Sequence, residues 1–199
     1  NEDVRASIKE IRGDSPHFAV LCGSFSFKND RPQLDKVKIK WDFFSDGQAS
    51  ITATIRMDTG IAKLLRDNEN SQNLVEAVSA FLGDVFKEAS GRNISIQGVQ
   101  IDYDCPTAKL SDYVKLIASI KKKFPDMQVS FTALPTWLDS ADFAALAKSG
   151  DYYVLQAHSF KVPGTLEEAL KPFSGADTFG WVETASRIGQ SYYISLPTY

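Results

Sequence analysis

Runs of apolar residues of strand length alternate with amphipathic helical stretches along most of the chain, and this alternation constrains the fold more than any other feature. Six stretches read as strands, near 18–25, 51–57, 94–104, 129–135, 152–159 and 192–198. Between them, Leu74, Val78, Phe81, Leu82, Val85, Phe86 and Ala89 fall on one face of a helix ending near Gly91. Leu110, Tyr113, Val114, Ile117, Ile120 and Phe124 make a second helix, stopped by Pro125. Ser140 can cap a third that carries Phe143, Ala144, Leu146 and Ala147 and ends at Gly150. Val4, Ile8 and Ile11 give a short opening helix, Thr165 caps another short one, and 176–187 is one more.

Helical crossovers between successive strands imply parallel pairing, because a tight hairpin can join only antiparallel strands. No Gly-rich phosphate loop follows any of these strands, which argues against a doubly wound nucleotide-binding fold. The expected fold is therefore α/β, a TIM-type (β/α) barrel. Eight such units take about 250 residues, whereas this chain has 199. An incomplete barrel is expected, with about six of eight parallel strands in a single domain over 1–199. Val37–Trp41 alternates with period two and Ser45–Gln48 is a turn, so an inserted hairpin is expected around 37–48. That hairpin, or another chain in an oligomer, would cover the open barrel edges.

Composition removes several classes of function. Hydrophobic residues make up 43% and charged residues 24%, enough apolar material for a core. Twenty-two Lys and Arg against 25 Asp and Glu leave a formal charge of −3, without the basic excess a nucleic-acid binder needs. No apolar run reaches the roughly 18–20 residues of a membrane span. Cys22 and Cys105 lack zinc-site spacing, and His17 and His158 form no H-x-H or H-E-x-x-H motif. No cofactor or metal is expected, and catalysis rests on carboxylates. Location is left open, with a periplasmic or secreted place compatible with these features.

The chemistry concentrates in Gly98-Val99-Gln100-Ile101-Asp102-Tyr103-Asp104. Strand alternation puts Gln100, Asp102 and Asp104 on one face, facing the barrel axis, at the C-terminal strand end where barrel enzymes place their sites. Two strand residues span roughly 6.6 Å, so one carboxylate charge would disfavour the other and keep one acid protonated for general-acid work. Arg56, ending the preceding strand, would ion-pair with Asp102 and set the two acids apart. Trp137 offers a ring face for sugar C–H groups. Gln156, His158 and the terminal Tyr199 are further candidate binding residues at the same rim.

This stretch resembles the D-G-x-D-x-D-x-E signature of the chitinase-like glycoside hydrolases, whose last acid protonates the glycosidic oxygen. Carried onto this sequence, the first Asp falls on Gln97, the second on Gln100, the third on Asp102, and the catalytic Glu on Asp104. Two acids have become amides and one has shortened. The chain looks still more like an uncharacterised bacterial family of glycosidase-like TIM-barrel proteins, at GVQIDYDCPTAKLSDY, SFTALPTWL, YYVLQAHS and SLPTY. That resemblance implies a barrel related to glycoside hydrolases.

The expected function is hydrolysis of a polysaccharide or oligosaccharide, with Asp104 as acid and Asp102 as partner. The alternatives are a carbohydrate-binding barrel that has lost catalysis and, more weakly, a metal-dependent hydrolase using Asp102, Asp104 and His158.

Overall fold

A computed structural model of the chain describes residues 2–11, 16–28, 31–45, 49–157 and 175–196. Its strands are β1 (His17–Lys28), β2 (Arg31–Lys36), β3 (Ser50–Met57), β4 (Ile96–Tyr103), β5 (Gln128–Ala133), β6 (Tyr152–Gln156) and β7 (Tyr192–Ser195). They form one sheet in the order β2-β1-β3-β4-β5-β6-β7. From β1 to β7 every neighbouring pair is parallel and follows chain order, as the alternation of strands and helices predicts. The two outermost strands do not pair, so the sheet is an unclosed barrel among the described residues.

The helices are α1 (Glu2–Ile11), α2 (Asn68–Ser90), α3 (Leu110–Lys123), α4 (Ala141–Ser149) and α5 (Gly175–Arg187). Each of α2, α3 and α4 buries an apolar stripe, led by Val78 and Leu82, by Tyr113 and Ile117, and by Phe143 and Leu146. These stripes meet every second strand residue: Ile51, Ala53 and Ile55 of β3, Val99, Ile101 and Tyr103 of β4, Val129 and Phe131 of β5, and Tyr153 and Leu155 of β6, all buried. Burial of each large apolar side chain contributes about 1.5–3 kcal/mol, which makes this one-sided packing the main stabilisation of the sheet. Caps fix the helix ends. Asp67 accepts the Asn70 N–H at 2.9 Å, and Ser140 accepts the Asp142 N–H at 3.3 Å as its sequence position predicts.

The expected hairpin at 37–48 is displaced. Val37–Lys40 lies outside any strand, and Trp41–Phe44 is a 3-10 helix that buries Trp41 and Phe44, three residues apart. The antiparallel strand is β2, paired with β1 from Gly23↔Lys36 to Lys28↔Arg31. Its residues are exposed throughout, so it has no apolar alternation to read. Pro32, Asp35 and Lys36 suit a sheet edge that discourages further pairing. Glu88 of α2 accepts from both Lys36 Nζ, at 3.1 Å, and Trp41 Nε1, at 3.2 Å, tying this excursion to the helix layer.

The register of β1 on β3 shifts between Leu21 and Gly23, which makes Cys22 the extra residue of a bulge. Cys22 and Cys105 are both buried free thiols, and burial pushes each up to about 12, so neither is an activated nucleophile. At Gly23 an added Cβ would lie 2.7 Å from Phe81 Cζ of α2 and 3.0 Å from the Asp35 carbonyl oxygen. Gly23→Ala is therefore expected to destabilise the fold by about 1–3 kcal/mol, lowering the urea midpoint without changing the slope. An unchanged midpoint would show that α2 does not pack this closely on β1.

Candidate active site

The sheet face opposite the helices is polar because of strand alternation. Register aligns Arg56 of β3 with Asp102 of β4, and Thr54 with Gln100 and Ser130 across β3, β4 and β5. Asp102 is gripped on both carboxylate oxygens: Arg56 Nε donates to Oδ2 at 2.9 Å and Thr132 Oγ1 donates to Oδ1 at 2.9 Å. The Asp102 side chain is 18% exposed and that of Arg56 is 64% exposed. Solvent screens such a pair, so it adds less than about 1 kcal/mol to stability, and its main effect is to fix the direction of the carboxylate. Arg56 uses only Nε on Asp102, which leaves its two terminal nitrogens as donors.

One pleat toward the strands' N-terminal ends runs a second cross-strand row. Thr54 Oγ1 donates to Gln100 Oε1 at 3.5 Å, Gln100 Nε2 donates to Ser130 Oγ at 3.4 Å, and Ser130 Oγ donates to the Val99 carbonyl at 3.3 Å. The direction of the Gln100 amide is thereby set, with one N–H and one lone pair left over. A cavity of about 370 Å³ opens above these rows, lined by Arg56, Gln100, Asp102, Thr132 and, from the end of β6, Gln156. The face thus brings together four of the side chains singled out in the sequence: Arg56, Gln100, Asp102 and Gln156.

Asp104 sits differently. β4 ends at Tyr103, and the Cys105 N–H donates to the Tyr103 carbonyl at 2.8 Å, which makes Asp104 the centre of a three-residue γ-turn. The alternation that would group it with Asp102 stops one residue earlier. Asp104 is exposed, is not in the lining of the cavity, and makes no hydrogen bond or ion pair among the described residues.

Trp137 requires a correction. It is 1% exposed, in a 3-10 helix on the helix side of the sheet, with its ring 6.2 Å from both Tyr113 and Phe143. A ring enclosed this way has no face to offer a sugar. Pro135-Thr136-Trp137 turns back under α4 instead of projecting at the barrel mouth. His158 and Tyr199 lie outside the described residues. Among the described residues no group of three or more His, Cys, Asp or Glu side chains is placed to hold a metal ion.

Sequence reasoning missed Thr132, Thr54 and Ser130. The signal was present: Ser130 and Thr132 alternate with Val129, Phe131 and Ala133 in β5, the same polar pleat that marks Thr52, Thr54 and Arg56 in β3.

A mostly parallel, unclosed α/β sheet in this strand order is the fold of an incomplete (β/α) barrel, and solved structures share it. A chitinase from Chromobacterium violaceum ATCC 12472 superposes with a TM-score of 0.63 at 11% identity, covering 98% of this chain and 64% of that one. The Bacillus cereus spore cortex-lytic enzyme SleL superposes with a TM-score of 0.65 at 17% identity, covering 98% of this chain and 47% of that one. The chain thus spans less than two thirds of either structure, and the likeness is one of fold. The chain belongs to the DUF3142 family, a domain of unknown function, matched over residues 46–199. No curated protein matches it.

Because Trp137 packs in the core, Trp137→Ala is expected to cost about 3–5 kcal/mol of stability, read as a large drop in the denaturation midpoint. Preserved stability together with a lost carbohydrate affinity would instead make Trp137 a stacking platform.

Proposed function

We propose that the protein binds a polysaccharide or oligosaccharide at the C-terminal ends of β3 to β6 and hydrolyses it, with Asp104 as general acid and Asp102 as its partner carboxylate. One observation carries this reading: both oxygens of Asp102 are held by Arg56 and Thr132 beside an open polar cavity, while Asp104, two residues on, is exposed and makes no hydrogen bond or ion pair among the described residues. The similarity in fold to a chitinase and a spore cortex-lytic enzyme favours a glycan over other ligands.

In this mechanism the Asp104 carboxyl gives its proton to the glycosidic oxygen as the bond from that oxygen to the anomeric carbon breaks. Positive charge grows on the sugar ring and is stabilised by the fixed negative charge of Asp102. Water then adds to the anomeric carbon, and its proton restores Asp104. The terminal nitrogens of Arg56 and the amides of Gln100 and Gln156 bind sugar hydroxyls, which both donate and accept.

A second reading, a carbohydrate-binding barrel without turnover, is favoured by Gln97 and Gln100 standing where the chitinase-like signature has acids, and by the place of Asp104 outside the cavity lining. The test is a panel of neutral glycans assayed with the full polypeptide. Asp104→Asn is expected to lower turnover by about 10²–10⁴-fold while binding persists, because the amide keeps the shape and loses the proton. Turnover untouched by Asp104→Asn would remove the catalytic assignment. Binding without any turnover by the native protein would establish the second reading.

A further inference from the structure

A second and larger cavity, about 790 Å³, opens on the same sheet face at the strands' N-terminal ends. It shares Ala19, Gln100 and Val154 with the cavity beside Asp102, so the two form one continuous trough along the sheet. Ser50 lines one end of it and Arg56 the other, and the β3 segment between them spans about 20 Å at roughly 3.3 Å per residue. That is room for an extended chain molecule, well beyond a single small ring.

The chemistry of the added half is specific. Gln97 accepts from Ser50 Oγ at 3.2 Å, and its amide hydrogens have no partner among the described residues. Gln190 spends its Nε2 on the carbonyls of Gly150 and Asp151 and keeps its oxygen. The Gln128 side chain has no hydrogen bond among the described residues. These amides present donors and acceptors side by side, the pattern that hydroxyl groups match.

Fixed charge, in contrast, is sparse and paired. Among the described residues Asp151 is the one carboxylate in this lining, and its oxygens are taken by Lys121 Nζ at 2.6 Å and the Val129 N–H at 2.8 Å. In the other half the charged pair is Arg56 with Asp102. Among the described residues the lining of the trough contains no other Lys or Arg, so an anionic ligand would find no cation there beyond Arg56, which is already paired through its Nε.

An aromatic ring stands in the same half. Tyr193 of β7 is 66% exposed, and Tyr152 meets it edge-on with ring centroids 5.2 Å apart, fixing its orientation. It supplies the ring face that the sequence suggested for Trp137 and that the structure denies it.

We infer that the N-terminal half of the trough is a second subsite for a neutral glycan chain, with Tyr193 as its stacking platform and the amides of Gln97, Gln128 and Gln190 as its hydroxyl-binding groups. This rests on the carbohydrate reading of the cavity beside Asp102, and it adds neutrality, chain length and a platform residue to that reading.

The experiment titrates the full polypeptide with chito- and cello-oligosaccharides of rising length, and with oligogalacturonates as an anionic comparison. Affinity for one neutral series is expected to rise on the order of 10-fold once the oligomer outgrows the cavity beside Asp102, while the oligogalacturonates bind more weakly. Tyr193→Ala removes that gain and leaves the shortest oligomers unchanged, whereas Tyr193→Phe keeps it, because the ring face and not the hydroxyl does the stacking. Arg56→Ala weakens all lengths alike. If short oligomers bind and depend on Arg56 but length and Tyr193 make no difference, the second subsite is refuted and the proposed function stands. If no oligomer of either neutral series binds at any length, both fall. Protection of Tyr193 from nitration by tetranitromethane in the full polypeptide also refutes the subsite, since a platform must be accessible.

Discussion

The aromatic packing between the sheet and its helices is the interaction on which the rest depends. Tyr113 of α3 touches Tyr103, Phe131 and Trp137, and Phe143 of α4 joins Trp137 to Tyr153. Edge-to-face pairs of this kind add about 0.5–1.5 kcal/mol each beyond the area they bury. Tyr113 is fully enclosed, donates its hydroxyl to the Ile101 carbonyl at 3.4 Å, and is raised well above its ordinary range by burial. This network takes one face of β4, β5 and β6 out of water, and strand alternation then dictates that Gln100, Asp102, Ser130, Thr132 and Gln156 emerge on the other.

The site follows from that geometry. Arg56, Asp102 and Thr132 meet because three parallel strands are in register, and a slip of one residue would send Asp102 into the aromatic layer. The buried row of Thr54, Gln100 and Ser130 beneath it leaves no alternative arrangement at low cost, since a slip would strand several hydrogen-bonding groups in a dry interior. The carboxylate is thus positioned by its strand neighbours and not by a loop.

The parallel order of the strands was legible because β3 to β6 each bury an apolar face and the crossover helices α2, α3 and α4 each carry their own stripe, so two periodicities repeat along the middle of the chain. β2 was not legible, because an exposed edge strand has no such face, and Val37, Ile39 and Trp41 imitated a strand whereas Trp41 in fact opens a 3-10 helix with Phe44. Within the site, Arg56 and Asp102 were readable from strand phase alone. Asp104 was not, because a γ-turn broke the phase at Tyr103. Trp137 misled because an aromatic ring just past a strand end reads the same whether the next turn carries it outward or beneath the following helix. Only its tertiary partners, Tyr113 and Phe143, decide.

The central claim is that the open polar face of this sheet is where a glycan lies. Diffraction from crystals of the full polypeptide soaked with a neutral oligosaccharide tests it most directly. The account predicts sugar density along β3 to β6, with hydroxyls within hydrogen-bond reach of Arg56, Asp102 and Gln156. A face filled by polypeptide from elsewhere, or sugar bound at another surface with the groups around Asp102 untouched, would contradict it.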